Sequence, residues 1–170
     1  MKTIRMGTVG YVAAIAALSL SSLQAQTVQA SLAKEAGTLS DKFTGLARVM
    51  AGKYDWKPGP GVRSAADVFN LILAENGVLV STLTGEAAGG RPAPITDPEK
   101  LQEALKASYA NLQQTIAGLS DTDLKAPVKL FGRDMTKEAA VRYLFGDQHE
   151  HLGQSIAYAR SNGVVPPWSK

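Results

Sequence analysis

The chain has 170 residues and 45% of them are hydrophobic, which is enough for one domain with a buried core. Its formal net charge of +3 falls to +1 once Lys2 and Arg5 are set aside with the N-terminal segment, and the remaining basic residues are scattered among acidic ones, which excludes a nucleic-acid-binding protein. Cysteine is absent from the sequence, which excludes disulfide bonds and a lipid-modified N-terminal cysteine.

The first 25 residues have the pattern of a secretory signal peptide. A short basic region precedes an apolar run over residues 11–20, and small residues follow. We expect cleavage after Ala25, or as late as Ala30, and a mature domain over residues 31–170. A retained membrane anchor is the alternative, but a helix that spans a bilayer needs about 20 apolar residues. The sequence therefore predicts a periplasmic or secreted bacterial protein without a stable membrane anchor.

Four segments of the mature domain show the apolar spacing of amphipathic helices, at about 32–50, 65–83, 98–117 and 137–161. Ser64 with Asp67 three residues later predicts a capping box at the start of the second helix. Asp97 followed by Pro98 predicts the start of the third helix. Four helices of similar length predict an all-α fold, a four-helix bundle with one shared core.

The connection before the fourth helix is the longest one. Residues 119–135 contain Pro127 and Gly132 and show no helical period, so we expect an irregular segment and predict no strand. Thr136 is expected to cap the fourth helix through its hydroxyl. Asn162 and Gly163 are expected to end it.

The fourth helix places the two histidines of the chain on different faces. At about 100° per residue, His151 shares an arc with residues expected in the core, namely Val141, Leu144, Gln148, Leu152, Ser155 and Ala159. His149 points away from that arc. Asp147 lies one turn before His151, and such a pair is half of a metal site that a facing helix could complete. The alternative is a hydrogen-bonded His–Asp pair without metal, which these residues alone favour.

Glu75 is the candidate ligand from a facing helix. It lies one turn after Leu71 in the second helix, so the two side chains are expected on one side. An inward carboxylate is costly unless it is paired or bound to metal. The alternative places Glu75 at the helix edge in water, and the sequence favours that alternative slightly. The loop at Gly89 and Gly90 lacks the strand-to-helix context of a phosphate-binding loop, so no organic cofactor is predicted.

Three segments resemble the DinB/YfiT-like family, in its first loop and second helix, its crossing before the last helix, and its last helix with the tail. In this chain they read KYDWKPGPGVRSAADVFN, APVKLFGRDMT and DQHEHLGQSIAYARSNGVVPPWS. The similarity spans essentially the whole mature chain. The resemblance implies a four-helix bundle with up-down-down-up connectivity, often assembled as a homodimer.

The resemblance also implies where a metal ion would bind. The family's usual site is a histidine triad, with one histidine from the second helix and an HxxxH pair from the fourth, and it commonly binds zinc or nickel. Leu71 stands at the first of these positions and Asp147 at the second, so His151 alone matches. Stable zinc sites take three or four protein ligands. The site is therefore predicted to be degenerate, with Asp147 and His151 needing Glu75 or a partner chain to hold a divalent metal.

Two functions of different class follow from the resemblance. Some relatives are thiol-dependent transferases or isomerases, and many others resemble metal-dependent hydrolases without a defined substrate. The altered ligand set favours an exported, non-catalytic binding or dimerisation module with no metal. The alternative is a hydrolase or thiol-transferase-like enzyme whose divalent metal is held by Asp147 and His151, with Glu75 completing the set or acting as a base. Catalytic residues and substrate are not predicted.

Overall fold

The secondary structure is mainly helical in the computed structural model, which describes residues 27–87, 89–90 and 92–169. The helices are α1 (Val28–Val49), α2 (Ala65–Thr84), α3 (Pro98–Ala117), α4 (Asp121–Lys125) and α5 (Lys137–Ser161). The strands are β1 (Pro127–Leu130) and β2 (Arg133–Thr136). The predicted signal peptide over residues 1–25 lies outside the described residues.

The four long helices lie close to their predicted positions because their capping residues can be recognised in the sequence. Ser64 accepts a hydrogen bond from the Asp67 backbone N–H, and the Asp67 carboxylate accepts one from the Ser64 N–H at 2.9 Å. Thr136 caps α5 through its hydroxyl, as predicted. The first helix begins at Val28, earlier than the predicted residue 32, because the Thr27 hydroxyl caps it by accepting from Ala30 N.

Residues 119–135 are ordered, and the expectation of an irregular segment without strands is wrong. Ser120 and Asp123 form a second capping box that starts α4. The strands β1 and β2 then pair antiparallel through a two-residue turn at Phe131 and Gly132, whose φ angles are +48° and +79°. Strands of four residues are too short for alternation to be recognised. Phenylalanine is also an unusual residue for a turn that requires positive φ.

The core lies between the four long helices. Helix α1 packs mainly on α3, α2 packs on α3 and α5, and α5 also contacts α1. By length and composition α2 is apolar enough to cross a membrane, alone among the helices in the described ranges, but half of its apolar stretch is buried as in a core helix. The fold thus agrees with a mainly helical bundle to which a small hairpin is added, and the up-down-down-up connectivity stays a prediction.

A buried chain of polar side chains joins α2, α3 and α5 inside this core. The Tyr109 hydroxyl donates to Gln148 Oε1 at 2.9 Å, and Gln148 Nε2 donates to Asn76 Oδ1 at 2.8 Å. Asn76 Nδ2 in turn donates to Ser108 Oγ at 3.0 Å. Because buried polar groups must be paired, this chain specifies one rotation and height of α2 against α5. Asn76 follows Glu75 and Gln148 follows Asp147, so the same contacts position the candidate site.

Candidate metal centre

Three ligand-competent side chains converge where α2 faces α5. Glu75 comes from α2, and Asp147 and His151 come from successive turns of α5; one ligand atom of each lies within 4.8 Å of the others. His151 Nε2 is 3.9 Å from Glu75 Oε1 and 3.7 Å from Asp147 Oδ2. Both distances exceed a hydrogen bond. Ligand atoms of a tetrahedral zinc ion lie about 3.3 to 3.6 Å apart, only slightly closer than these.

The hydrogen bonds of His151 rule out one alternative. The alternative of a hydrogen-bonded pair with Asp147 is wrong, because Nε2 lies 3.7 Å from Asp147 Oδ2, while Nδ1 bonds to Gln154 Oε1 at 3.0 Å. Gln154 Nε2 donates to the Tyr158 hydroxyl at 2.8 Å, and that hydroxyl donates to the Arg63 carbonyl at 3.2 Å. A hydroxyl has a single hydrogen, so Tyr158 must accept from the amide nitrogen, which leaves the amide oxygen facing His151.

This chain of hydrogen bonds determines the tautomer of His151. Because Gln154 Oε1 can only accept, the proton of the neutral imidazole lies on Nδ1. The lone pair of Nε2 then faces the carboxylates of Glu75 and Asp147. A metal-ligating histidine usually has this arrangement, in which one ring nitrogen faces the metal and the N–H of the other donates a hydrogen bond that orients the ring.

The three side chains differ in their exposure to solvent. The Glu75 side chain is 8% exposed, that of His151 16%, and that of Asp147 41%. The alternative that Glu75 lies at the helix edge in water is therefore wrong. Its Oε2 atom is buried and accepts no hydrogen bond from the described residues. A buried carboxylate oxygen without a donor needs a proton or a cation.

The electrostatics of Glu75 point the same way. Burial, followed by the neighbouring Asp147 carboxylate, raises the pKa of Glu75 from 4.5 to about 8. Without a cation, the site therefore keeps a proton on Glu75 at neutral pH. Two carboxylates and one imidazole form a ligand set that suits a divalent cation such as zinc, with room for one further ligand. The residues present fit a metal ion.

Leu71 cannot ligate a metal and instead forms part of a wall. It is half-buried and lines an open groove of about 600 Å³ along α2, which Glu75 also lines. The candidate ligand on α2 is thus one turn further along the helix than the resemblance implies. His149 lies outside the site, as predicted, and its Nε2 is 3.0 Å from Glu35 Oε1 of α1.

Two residues of this region are not predicted from the sequence. Gln154 could have been found, because it lies three residues after His151 and a polar side chain at that spacing can reach the ring. Phe131 lines the groove from the turn of the hairpin, and the sequence carries no signal for that position.

Comparison with known proteins identifies a family and finds similar folds among solved structures. The sequence model of the DinB superfamily matches residues 24–155. A crystal structure of a DinB-like protein from Bacillus cereus has a TM-score of 0.69 at 17% identity, over 85% of this chain and 99% of that one. Another from Bacillus subtilis has a TM-score of 0.67 at 19% identity, over 79% and 93%. No curated protein matches significantly. At these identities the structures show the fold alone.

Proposed function

The chain belongs to the DinB superfamily, and from that premise we propose that it binds a divalent metal ion through Glu75, Asp147 and His151 and catalyses a metal-dependent hydrolysis in the adjoining groove. The observation that carries the proposal is the convergence of the three side chains, one of which, Glu75, has a buried carboxylate oxygen without a donor among the described residues. A divalent cation bound there would act as a Lewis acid on a carbonyl or phosphoryl oxygen.

The residues of the chain supply charge, orientation and a hydrophobic surrounding. Glu75 and Asp147 together offset the two charges of the cation, while His151 contributes a neutral nitrogen. Gln154 and Tyr158 hold the imidazole so that Nε2 faces the carboxylates. Of the three ligand-competent side chains, Glu75 is among the described residues that line the groove, so a substrate in the groove would meet the site at Glu75. Three protein ligands beside an open groove are typical of a catalytic rather than a structural site.

The non-catalytic alternative is favoured by a different observation. Since the pKa of Glu75 is raised to about 8, a proton on its carboxyl can replace the cation at neutral pH. In that case the trio is a structural cluster, and the bundle is a binding or dimerisation module as the altered ligand set suggested. Metal content distinguishes the two functions directly.

The experiment measures zinc and nickel by mass spectrometry in the mature protein from Gln26, purified without a histidine tag. We expect about one divalent ion per chain. The Glu75→Gln, Asp147→Asn and His151→Ala variants should each lose it. His149→Ala is the matched control, because it removes the other histidine of α5 and leaves the trio intact. Protein that folds without metal and takes up no added zinc or nickel would overturn the proposal.

Export and assembly are further parts of the proposal. We infer from residues 1–25 that the protein is exported to the periplasm or the medium after cleavage of the signal peptide. The N-terminal sequence of the protein recovered from those fractions tests this, and a protein that begins at Met1 in the cytoplasm would contradict it. Homodimer formation is tested by light scattering of the mature protein.

A further inference from the structure

The groove beside Glu75 has the size of a small-molecule site. Its volume is about 600 Å³, within the range of about 300 to 1,000 Å³ that such sites occupy. Helix α2 forms its floor from Leu71 to Ser81, the link after α2 contributes residues 89, 90 and 92, and Phe131 adds a wall from the hairpin. Asn111 of α3 also lines it, so four separate parts of the chain contribute to one space.

The chemistry of the lining defines what fits there. Among the described lining residues, Glu75 is the sole charged one, and Ser81 and Asn111 are polar but uncharged. The remaining lining residues are aliphatic, aromatic, glycine or proline. From Glu75 to Ser81 the helix rises by about 9 Å. The groove therefore suits an uncharged molecule whose apolar body extends about that far from a polar group beside Glu75, with Leu71 lining the groove one turn beyond Glu75.

The backbone conformation of Phe131 is a second indication that the groove binds a ligand. Its φ of +48° lies in the left-handed region, where glycine or asparagine would be less strained. The side chain is 57% exposed, so it contributes little to the core. Strain at an exposed residue is typical of functional positions. Its ring is held 6.5 Å from that of Tyr143 and lines the groove.

We propose that the groove binds a small uncharged molecule with an apolar body, such as a medium-chain ester or amide, which rests against Phe131 and Val78 and places its polar group beside Glu75. This inference rests on the proposed function, because it names the substrate class of the same site. It commits to a small molecule because the space is concave and Glu75 lines it, whereas a protein partner would need a larger flat surface.

The test uses the uncharged fluorophore N-phenyl-1-naphthylamine with the mature protein, and 1-octanol and octanoate as competitors. We expect saturable binding to the metal-free protein, displaced more readily by 1-octanol than by octanoate because the described lining residues offer no cationic side chain to pair with a carboxylate. Val78→Trp should weaken binding at least about tenfold by filling the groove. Phe131→Asn should weaken it about fivefold through the lost aromatic contact. Val165→Ala is the control, an exposed apolar residue outside the lining.

Zinc binding, measured by calorimetry on the same variants, separates this inference from the proposed function. Val78→Trp and Phe131→Asn should bind zinc as the wild type does, whereas Glu75→Gln should lose zinc and keep the fluorophore. A wild type that binds zinc but not the fluorophore overturns the substrate class and leaves the metal site standing. A wild-type dimer that Val78→Trp converts to a monomer also overturns it, because the groove then accommodates a second copy.

Discussion

Replacing Glu75 by glutamine should remove a pH dependence of folding from the metal-free protein. In the folded protein the pKa of Glu75 is raised from 4.5 to about 8. The folded state therefore binds the proton more tightly than the unfolded state, and the stabilisation is fully present below pH 4.5. It is lost progressively as the pH rises from 4.5 to about 8.

The magnitude follows from that difference in pKa. One pKa unit corresponds to about 1.4 kcal/mol, so the wild type should lose about 3 kcal/mol through this group between pH 6 and pH 9. Glutamine has nearly the same shape and does not ionise, so Glu75→Gln should lack this loss. Other titrating groups contribute similarly to both proteins, and the difference between their slopes isolates Glu75.

Urea denaturation at pH 6 and pH 9 in the presence of a chelator measures the effect. The midpoint of the wild type should fall further between the two pH values than that of Glu75→Gln, while the dependence of the unfolding free energy on urea stays constant. Glu86→Gln, an exposed glutamate just after α2, is the matched control and should behave like the wild type. Equal losses in the wild type and Glu75→Gln would refute the inference that Glu75 carries a proton in the fold.

Four further predictions concern the metal, the turn and the core. Zinc affinity should rise about tenfold per pH unit up to about pH 8, because binding displaces the proton of Glu75. Calorimetry in two buffers of different ionisation enthalpy counts the protons released on zinc binding. The absence of proton release at pH 6.5 would contradict this prediction. Gln154→Ala should weaken zinc binding about 10- to 100-fold, whereas the exposed Glu150→Gln should not, as calorimetry can show. Phe131→Asn should raise the unfolding free energy by about 1 kcal/mol because asparagine tolerates positive φ, and a lower melting temperature would count against strain at this turn. Gln148→Leu should destabilise the fold by about 2 to 4 kcal/mol, measured by urea denaturation, because Tyr109 and Asn76 lose their partners; an unchanged midpoint would show that the polar chain is dispensable.

The helices could be predicted from the sequence because their signals are local. Ser64 with Asp67 and Asp97 with Pro98 lie next to the residues whose backbone groups they satisfy. The hairpin could not be predicted, because its strands have four residues each and its turn begins with Phe131 rather than glycine or asparagine. Its conformation depends on contacts that are distant in sequence.

The candidate site likewise has a part that could be predicted from the sequence and a part that could not. Asp147 and His151 lie on one helix, so their common face follows from helical periodicity alone. The depth of Glu75 depends on how α2 is rotated against α5, and the buried chain through Asn76 and Gln148 specifies that rotation. Because periodicity within one helix carries no information on its rotation against another, the sequence favoured water around Glu75. The family resemblance likewise directed attention to Leu71, one turn away from the carboxylate that the structure brings in.

The unequal exposure of the three side chains has a kinetic consequence. Asp147 is 41% exposed and Glu75 only 8%, so a hydrated ion would meet Asp147 first and would exchange its waters for the inner groups afterwards. Removal would follow the reverse order, because a chelator would reach the ion from the side of Asp147 before Glu75 dissociates from it. The metal content of the isolated protein would then depend on whether its buffers contain a chelator.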